Sequence, residues 1–361
     1  MIKIVIVKTK EEKKKFLKFR KKIYNDHANF VDNNMFMLKQ LFSFKTCFLD
    51  NKEVIALYIE DNNNVICECI AVFAKDLSQY IQLCFFESEK NAFKAVKLLI
   101  DKVIEIGKGF DCTKLVVGLN GHVNYGLGLL DSHFTEKNSF SGSANPSYYN
   151  DYFRKLNYEE VQLNSYTFNS MEEKSTRYAA LINRVNRGYS FKFLDPKNLD
   201  YYAKIYTDLN NACFIKHRYY YKRSYKEDKE MLKELLLFMK PDSLIFAFKN
   251  DKPVGFILWY PDFNELVLAK EEFGVKTFIK NKLFNNRIKK GKIMEIGIIE
   301  ECRKSGLAIG LINEMYLMLK KYGIKNAESS WILEENHESN SVCKAIGDSL
   351  YKRYVVYEKE I

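Results

Sequence analysis

The chain has 361 residues, 47% of them hydrophobic, and carries 57 Lys and Arg against 46 Asp and Glu for a formal charge of +11. That length exceeds one usual domain and predicts two, each with enough apolar material for a core. No apolar run reaches the roughly eighteen residues that a spanning helix needs, and the N-terminus places its apolar residues before its charges, so neither a membrane span nor a secretion signal is expected.

A cytoplasmic protein without a membrane partner follows as the expectation. The eight cysteines show no CxxC spacing and read as reduced core thiols, and no zinc constellation with His is visible, so no metal is expected. Cys67 and Cys69 occupy alternating positions that share one face of a strand. The positive charge accompanies an abundance of Lys, Asn, Ile and Tyr throughout, and a general compositional bias accounts for it; nucleic acid is not the expected partner.

In chain order, a strand is predicted over Ile2 to Val7, then a basic helix whose Phe16, Phe19 and Ile23 lie at helical spacing. Strands follow at Thr46 to Leu49, Glu53 to Glu60, Val65 to Val72 and Ile81 to Glu87. The helix EKNAFKAVKLLIDKVIEIGKG is stopped by Gly107 and Gly109, and a strand runs from Leu115 to Gly118. A glycine-rich loop from Asn120 to Asn145 leads to a helix over Asn145 to Tyr158 and a strand over Gln162 to Phe168.

A polar join, NSMEEKSTRY, marks a boundary near residue 170. Beyond it come a strand at Tyr189 to Leu194, helices over Asn198 to Phe214 and Tyr225 to Met239, and a hairpin of SLIFAF and VGFILWY. An irregular insert, Asp262 to Arg287, precedes the stretch IMEIGIIEECRKSGLAIGLINEMYLMLKKYG, which reads as strand, loop and amphipathic helix. Backbone N–H groups opening a helix lack intrahelical partners, and with the helix dipole they favour an anion at RKSGLA. The competing reading of Gly306 is a tight turn that needs a left-handed residue. Glu295 sits in the apolar run IMEIGI, where burial would raise its pKa towards neutrality, or it pairs with a neighbouring cation.

The order of strand, RxxGxA loop, helix, the short strand NAESSWIL, the helix NHESNSVCKAIGD and the final strand SLYKRYVVYEKE resembles the acyl-CoA N-acyltransferases of the GNAT superfamily. Asn336, Ser339, Cys343 and Gly347 stand where that family often has Asn, Ala, Tyr and Gly, so Ser and Cys are departures. The first half, with its NPSYY segment, resembles the degenerate N-terminal repeat of a tandem bacterial GNAT group. Its junction FFESEKNAFKAV has no glycine loop, and Glu87 and Glu89 would repel a pyrophosphate.

The resemblance implies an α/β (α+β) chain of two tandem GNAT-like domains, each a mixed, mostly antiparallel twisted sheet flanked by helices. Residues 1–170 would form the degenerate domain without a CoA loop and 171–361 the domain with an acyl-CoA site. Coenzyme A would be held by Ile298 and Ile299 on the strand, by Arg303, Lys304, Ser305, Gly306, Leu307, Ala308, Ile309 and Gly310 in the loop and helix, and by Asn336 and Ser339. Glu295 would serve as base, with Cys343, whose competing role is small-residue packing, or Tyr351 (alternatively Tyr354) as acid; His217, Tyr219, Tyr220, Tyr221, Trp259 and Tyr260 would line the acceptor pocket, the competing reading being a helix end whose aromatics are half core. The implied reaction is transfer of an acyl group, acetyl first among them, from its CoA thioester to the amine of a small molecule or peptide, by a monomer or homodimer. Two rivals stand beside it, an aminoacyl transferase drawing on tRNA and a non-catalytic CoA sensor or scaffold.

Overall fold

Alternating apolar runs in the first half form a meander. In the computed structural model, which describes residues 2–43, 45–268 and 271–361, the first repeat contains β1 (Ile2–Ile6), α1 (Lys10–Ile23), α2 (Met35–Ser43), β2 (Lys52–Asp61), β3 (Asn64–Ala74), β4 (Tyr80–Ser88), α3 (Phe93–Lys108), β5 (Lys114–Val117), β6 (Leu129–Leu130) and α4 (Tyr148–Lys155). Strands β1 to β4 pair antiparallel in sequence order, and β5 joins β4 in parallel after the α3 crossover. Helix α1 starts on a capping box, Thr9 with Glu12, and buries Phe16 and Phe19. The expected strand at Thr46 to Leu49 is instead a single 3₁₀ turn, Cys47–Leu49, because the Thr46 hydroxyl accepts from the Phe48 N–H at 3.2 Å. Helix α2, which the sequence reading left out, begins where Asp32 Oδ1 accepts from the N–H groups of Asn34 and Met35.

Strand β7 (Glu159–Phe168) is followed in the second repeat by α5 (Met171–Arg177), α6 (Ala179–Gly188), β8 (Ser190–Phe193), α7 (Leu199–Phe214), α8 (Tyr225–Leu235), β9 (Leu244–Lys249), β10 (Lys252–Pro261), α9 (Val275–Phe284), β11 (Lys290–Ile298), α10 (Leu307–Lys321), β12 (Asn326–Ser329), β13 (Ile332–Leu333) and α11 (His337–Ile346), and the chain closes with β14 (Leu350–Glu360). Strands β8 to β11 are antiparallel neighbours, whereas β12 lies parallel to β11. Asn250 and Asp251, with φ of 49° and 59°, make the two-residue turn of the β9–β10 hairpin. The stretch read as an irregular insert contains α9.

The chain divides into two compact units, one of Met1–Leu163, Leu268–Phe273 and Lys352–Ile361, the other of Asn164–Val267 and Gly274–Tyr351. The boundary expected near 170 thus falls inside β7, and the C-terminal strand, expected in the second domain, belongs to the first. The cause is strand pairing: Tyr357 on β14 lies opposite Val117 on β5, while Phe168 on β7 lies opposite Ala327 on β12. Each repeat therefore completes its sheet with a strand that the linear sequence assigns to the other. In the second unit, one face of the sheet is covered by α10 and α11 over a core of Ile257, Trp259, Ile293, Leu311 and Met315. Helix α7 covers the other face, its Tyr206 and Phe214 rings packing on Phe256.

Candidate active site

The site forms where β11 loses a neighbour. Strand β12 pairs with β11 only from Lys290 to Ile293, after which the Ser330 N–H donates to Ile293 O at 2.8 Å and the two strands part. On its other side β11 keeps β10, with one irregularity: Leu258 opposes Glu295 but Trp259 opposes Ile293, so Met294 is the extra residue of a bulge. The Ile299 N–H donates to Val254 O at 3.0 Å. Alternation along an antiparallel pair then directs the backbone groups of Glu295, Gly297 and Ile299 to β10 and those of Ile296 and Ile298 to the opened edge. Of the two residues expected to meet a pantetheine arm, Ile298 directs its backbone to the opened edge, whereas the Ile299 N–H is used in the ladder. Ile296 takes that place.

Two left-handed residues then turn the chain into α10, Lys304 with φ of 62° and Gly306 with φ of 87°. The Ser305 hydroxyl accepts from the Leu307 N–H and donates to Cys302 O, and the N–H groups of Ile309 and Gly310 donate to Gly306 O. Among the described residues the N–H groups of Lys304, Ser305, Gly306 and Ala308 have no hydrogen-bond acceptor, which leaves a cluster of donors at the positive end of the helix. Packing within the protein also requires the glycines. A Cβ on Gly306 would lie 2.7 Å from Leu181 Cδ1 and one on Gly310 2.6 Å from Val185 Cγ1, so both let α6 pack closely on the start of α10.

Arg303 is committed to the protein itself. Its guanidinium donates to Ile298 O and Cys213 O, both at 3.3 Å, and lies 3.7 Å from the Glu338 carboxylate, tying the end of β11 to α7 and α11. Asn336 caps α11 by accepting from the Ser339 N–H at 3.1 Å; Asn336 is exposed and Ser339 half-buried.

Glu295, half-buried on β11, accepts at Oε2 from the Tyr206 hydroxyl at 2.9 Å and from Asn210 Nδ2 at 3.3 Å. Behind them Arg223 pairs with Asp228, whose other oxygen accepts from the Thr207 hydroxyl at 2.7 Å, all within the interior. Burial pushes the Glu295 carboxyl up to about 7; the Tyr206 hydrogen bond and Arg223 oppose it, and Asp228 adds to it. Tyr206 and Asn210 went unnoticed in the sequence. Their signal was positional: they lie one turn apart on α7 and share its buried face with Ala203 and Thr207.

The aromatic segment after α7 turns inward. Tyr219, Tyr220 and Tyr221 are buried, and the Tyr220 hydroxyl donates to Asn211 Oδ1 at 2.7 Å. His217 is half-buried, accepts at Nδ1 from the Tyr219 N–H at 3.2 Å and so carries its proton on Nε2; burial pulls its pKa down to about 4. Trp259 is fully buried in the core with α10, on the face of the sheet away from Glu295, with its indole donating to Asp242 O at 3.2 Å. Tyr260 stacks on Phe263. The six aromatic and His candidates are therefore not brought together as one wall. Cys343 is buried on α11 and burial pushes its thiol up to about 12. Next to it is Tyr166 from β7, which donates to Asn340 Oδ1 at 2.9 Å; the sequence reading placed that strand in the other domain and so did not weigh it. Tyr351 is half-buried at the start of β14. No group of acidic, His or Cys residues suited to a metal occurs among the described residues.

The equivalent junction in the first unit is sealed. The Tyr149 hydroxyl accepts from the Ser88 N–H at 2.9 Å and the Tyr152 hydroxyl from the Ala92 N–H at 3.2 Å, while Tyr148 donates to Ser88 O. The donors that stay open at the start of α10 are taken here by tyrosines of the NPSYY helix. Glu87 is turned inward, held by Arg20 and by the Tyr149 hydroxyl, and Glu89 pairs with Lys22.

No protein-family model matches the chain. It is 29% identical over 135 residues to protein YghO of Escherichia coli strain K12, a match that spans 35% of this chain and 34%, about a third, of that protein. Among solved structures it is similar to a tandem GNAT protein from the clavulanic acid biosynthesis pathway, with a TM-score of 0.60 at 13% identity covering 100% of this chain and 98% of the other. It is also similar to a probable N-acyltransferase from Enterococcus faecalis V583, with a TM-score of 0.58 at 8% identity and coverage of 100% and 73%. The chain has a tandem GNAT fold.

Proposed function

We propose that the second unit binds an acyl-CoA, acetyl-CoA first among them, and passes its acyl group to an amine. The observation that carries the reading is the conjunction on one strand-to-helix segment of an opened β11 edge, a cluster of N–H donors at Lys304, Ser305, Gly306 and Ala308, and a carboxyl at Glu295 held near neutrality. The donors suit a diphosphate, as does the dipole of α10. The backbone of Ile296 and Ile298 suits the amides of a pantetheine arm, and an N–H there would stabilise charge growing on the thioester oxygen. Glu295 takes the amine proton directly or through water. The amine nitrogen bonds to the acyl carbon, the C–S bond breaks, and the thiolate leaves and is protonated.

The proton for that thiolate comes from Tyr351 in preference to Cys343. A thiol with a pKa near 12, buried in an apolar core, is a weak donor to a thiolate of lower pKa. The same observation supports the second reading, a CoA-binding protein without turnover. Calorimetric titration with acetyl-CoA and CoA, alongside Ala308→Glu, tests binding: a carboxylate in the first turn suits the helix but repels a diphosphate. Micromolar binding to the parent chain, lost in the variant, is expected; equal binding to both overturns the phosphate site. An amine panel then separates transfer from binding without turnover.

A further inference from the structure

Helix α9 is built inside out. Thr277 and Asn281 form its buried side, with the Asn281 amide donating to Phe238 O at 2.8 Å and the Phe278 ring edge-on to Phe238. Its apolar residues at four-residue spacing face solvent: Val275 is 78% exposed, Ile279 52% and Leu283 66%, and Phe284 follows at 37%. A surface helix ordinarily turns such a stripe to its own core. Here the polar side holds the helix in place and the stripe is left for something else.

Charge identifies what. From Gly274 to Met294 there is no Asp or Glu. Lys276 and Lys282 flank the stripe on its two sides by helical position, and Arg287, Lys289 and Lys290 follow, all exposed. Lys282 lies 5.4 Å from the Phe278 ring and Arg287 4.5 Å from the Phe284 ring, so their stems cover aromatic surface while the charged ends remain available. An apolar stripe bordered on both sides by cations, on a helix too short to span a bilayer, has the chemistry of an element that lies in the headgroup region of an anionic membrane. A nucleic acid would use the cations but leave Val275, Ile279 and Leu283 in water.

We propose that α9 docks the protein on an anionic lipid surface, inserting Val275, Ile279 and Leu283 between headgroups while Lys276, Lys282 and Arg287 engage lipid phosphates. The expectation of no membrane partner concerned spanning segments, and a helix lying in the interface is a different case. The test is co-sedimentation of the full chain with vesicles of phosphatidylcholine alone and of phosphatidylcholine with phosphatidylglycerol. The parent chain is expected to sediment with the anionic vesicles only, and less so at high salt. The pair Ile279→Ser with Leu283→Ser should weaken binding by about tenfold or more, and so should Lys276→Gln with Lys282→Gln. Both pairs replace exposed side chains and leave Thr277, Phe278 and Asn281 in place, so an unchanged melting temperature confirms that the fold persists. No sedimentation, equal sedimentation of parent and variants, or a concentration-dependent dimer abolished by the serine pair would each overturn the proposal, the last by assigning the stripe to a second copy of the chain.

Discussion

The Tyr206 hydroxyl donates to Glu295 Oε2 at 2.9 Å, and that bond opposes the burial that raises the carboxyl's pKa to about 7. In the proposed role of base Glu295 must be ionised, so turnover should rise with pH through about 7. Glu295→Gln should lower turnover by about a hundredfold and abolish that limb of the profile. Stability should move the other way. Because the folded pKa is raised above the ordinary 4.5, the contribution of Glu295 is fully present below 4.5 and is lost as pH rises through about 7. The glutamine variant escapes that loss, and its advantage over the parent should grow between pH 5 and pH 8, by at most on the order of 3 kcal/mol. Tyr206→Phe removes a bond to the ionised form and should shift the activity limb upward. Melting curves and pH–rate profiles check all three; a flat stability difference would mean that Glu295 titrates as in water.

Much of this arrangement was legible in sequence because it depends on neighbours along the chain. The strand, loop and helix around RKSGLA follow from an apolar run, two glycines and a helical repeat, and the N–H donors from a helix start at Leu307. Glu295 stood out as a charge within an apolar strand. What sequence could not supply was pairing between distant segments. Nothing local shows that β14 completes the first sheet, that Tyr166 reaches α11, or that Arg223 and Asp228 settle behind Tyr206. The tyrosine triplet after α7 shows a related limit: aromatic density marks core and pocket alike, and here the rings are buried.

Arg303 illustrates the difference between a motif and its use. Its side chain holds the carbonyls of Ile298 and Cys213. Arg303→Ala should therefore lower the melting temperature of the unliganded protein, by an amount equivalent to about 1–3 kcal/mol, since two carbonyls lose a charged donor. A residue that only met a phosphate would leave the unliganded protein unchanged and weaken CoA binding alone. Calorimetry of the unfolding transition and of CoA binding, run on one preparation, separates these outcomes.

Gly306 carries two burdens that substitution can separate. Its φ of 87° strains any other residue, and a Cβ there would meet Leu181 Cδ1 at 2.7 Å. Gly306→Ala should cost about 1–2 kcal/mol for the left-handed backbone, plus the displacement of Leu181. Leu181→Ala by itself also destabilises, by emptying the contact between α6 and α10. The double variant should be more stable than the sum of the two losses allows, because the added methyl occupies space that Leu181 has vacated. Denaturant midpoints for the four proteins of the cycle give the coupling. Strict additivity would show that α6 does not rest on the loop in solution, and would leave backbone conformation as the sole reason for the glycine.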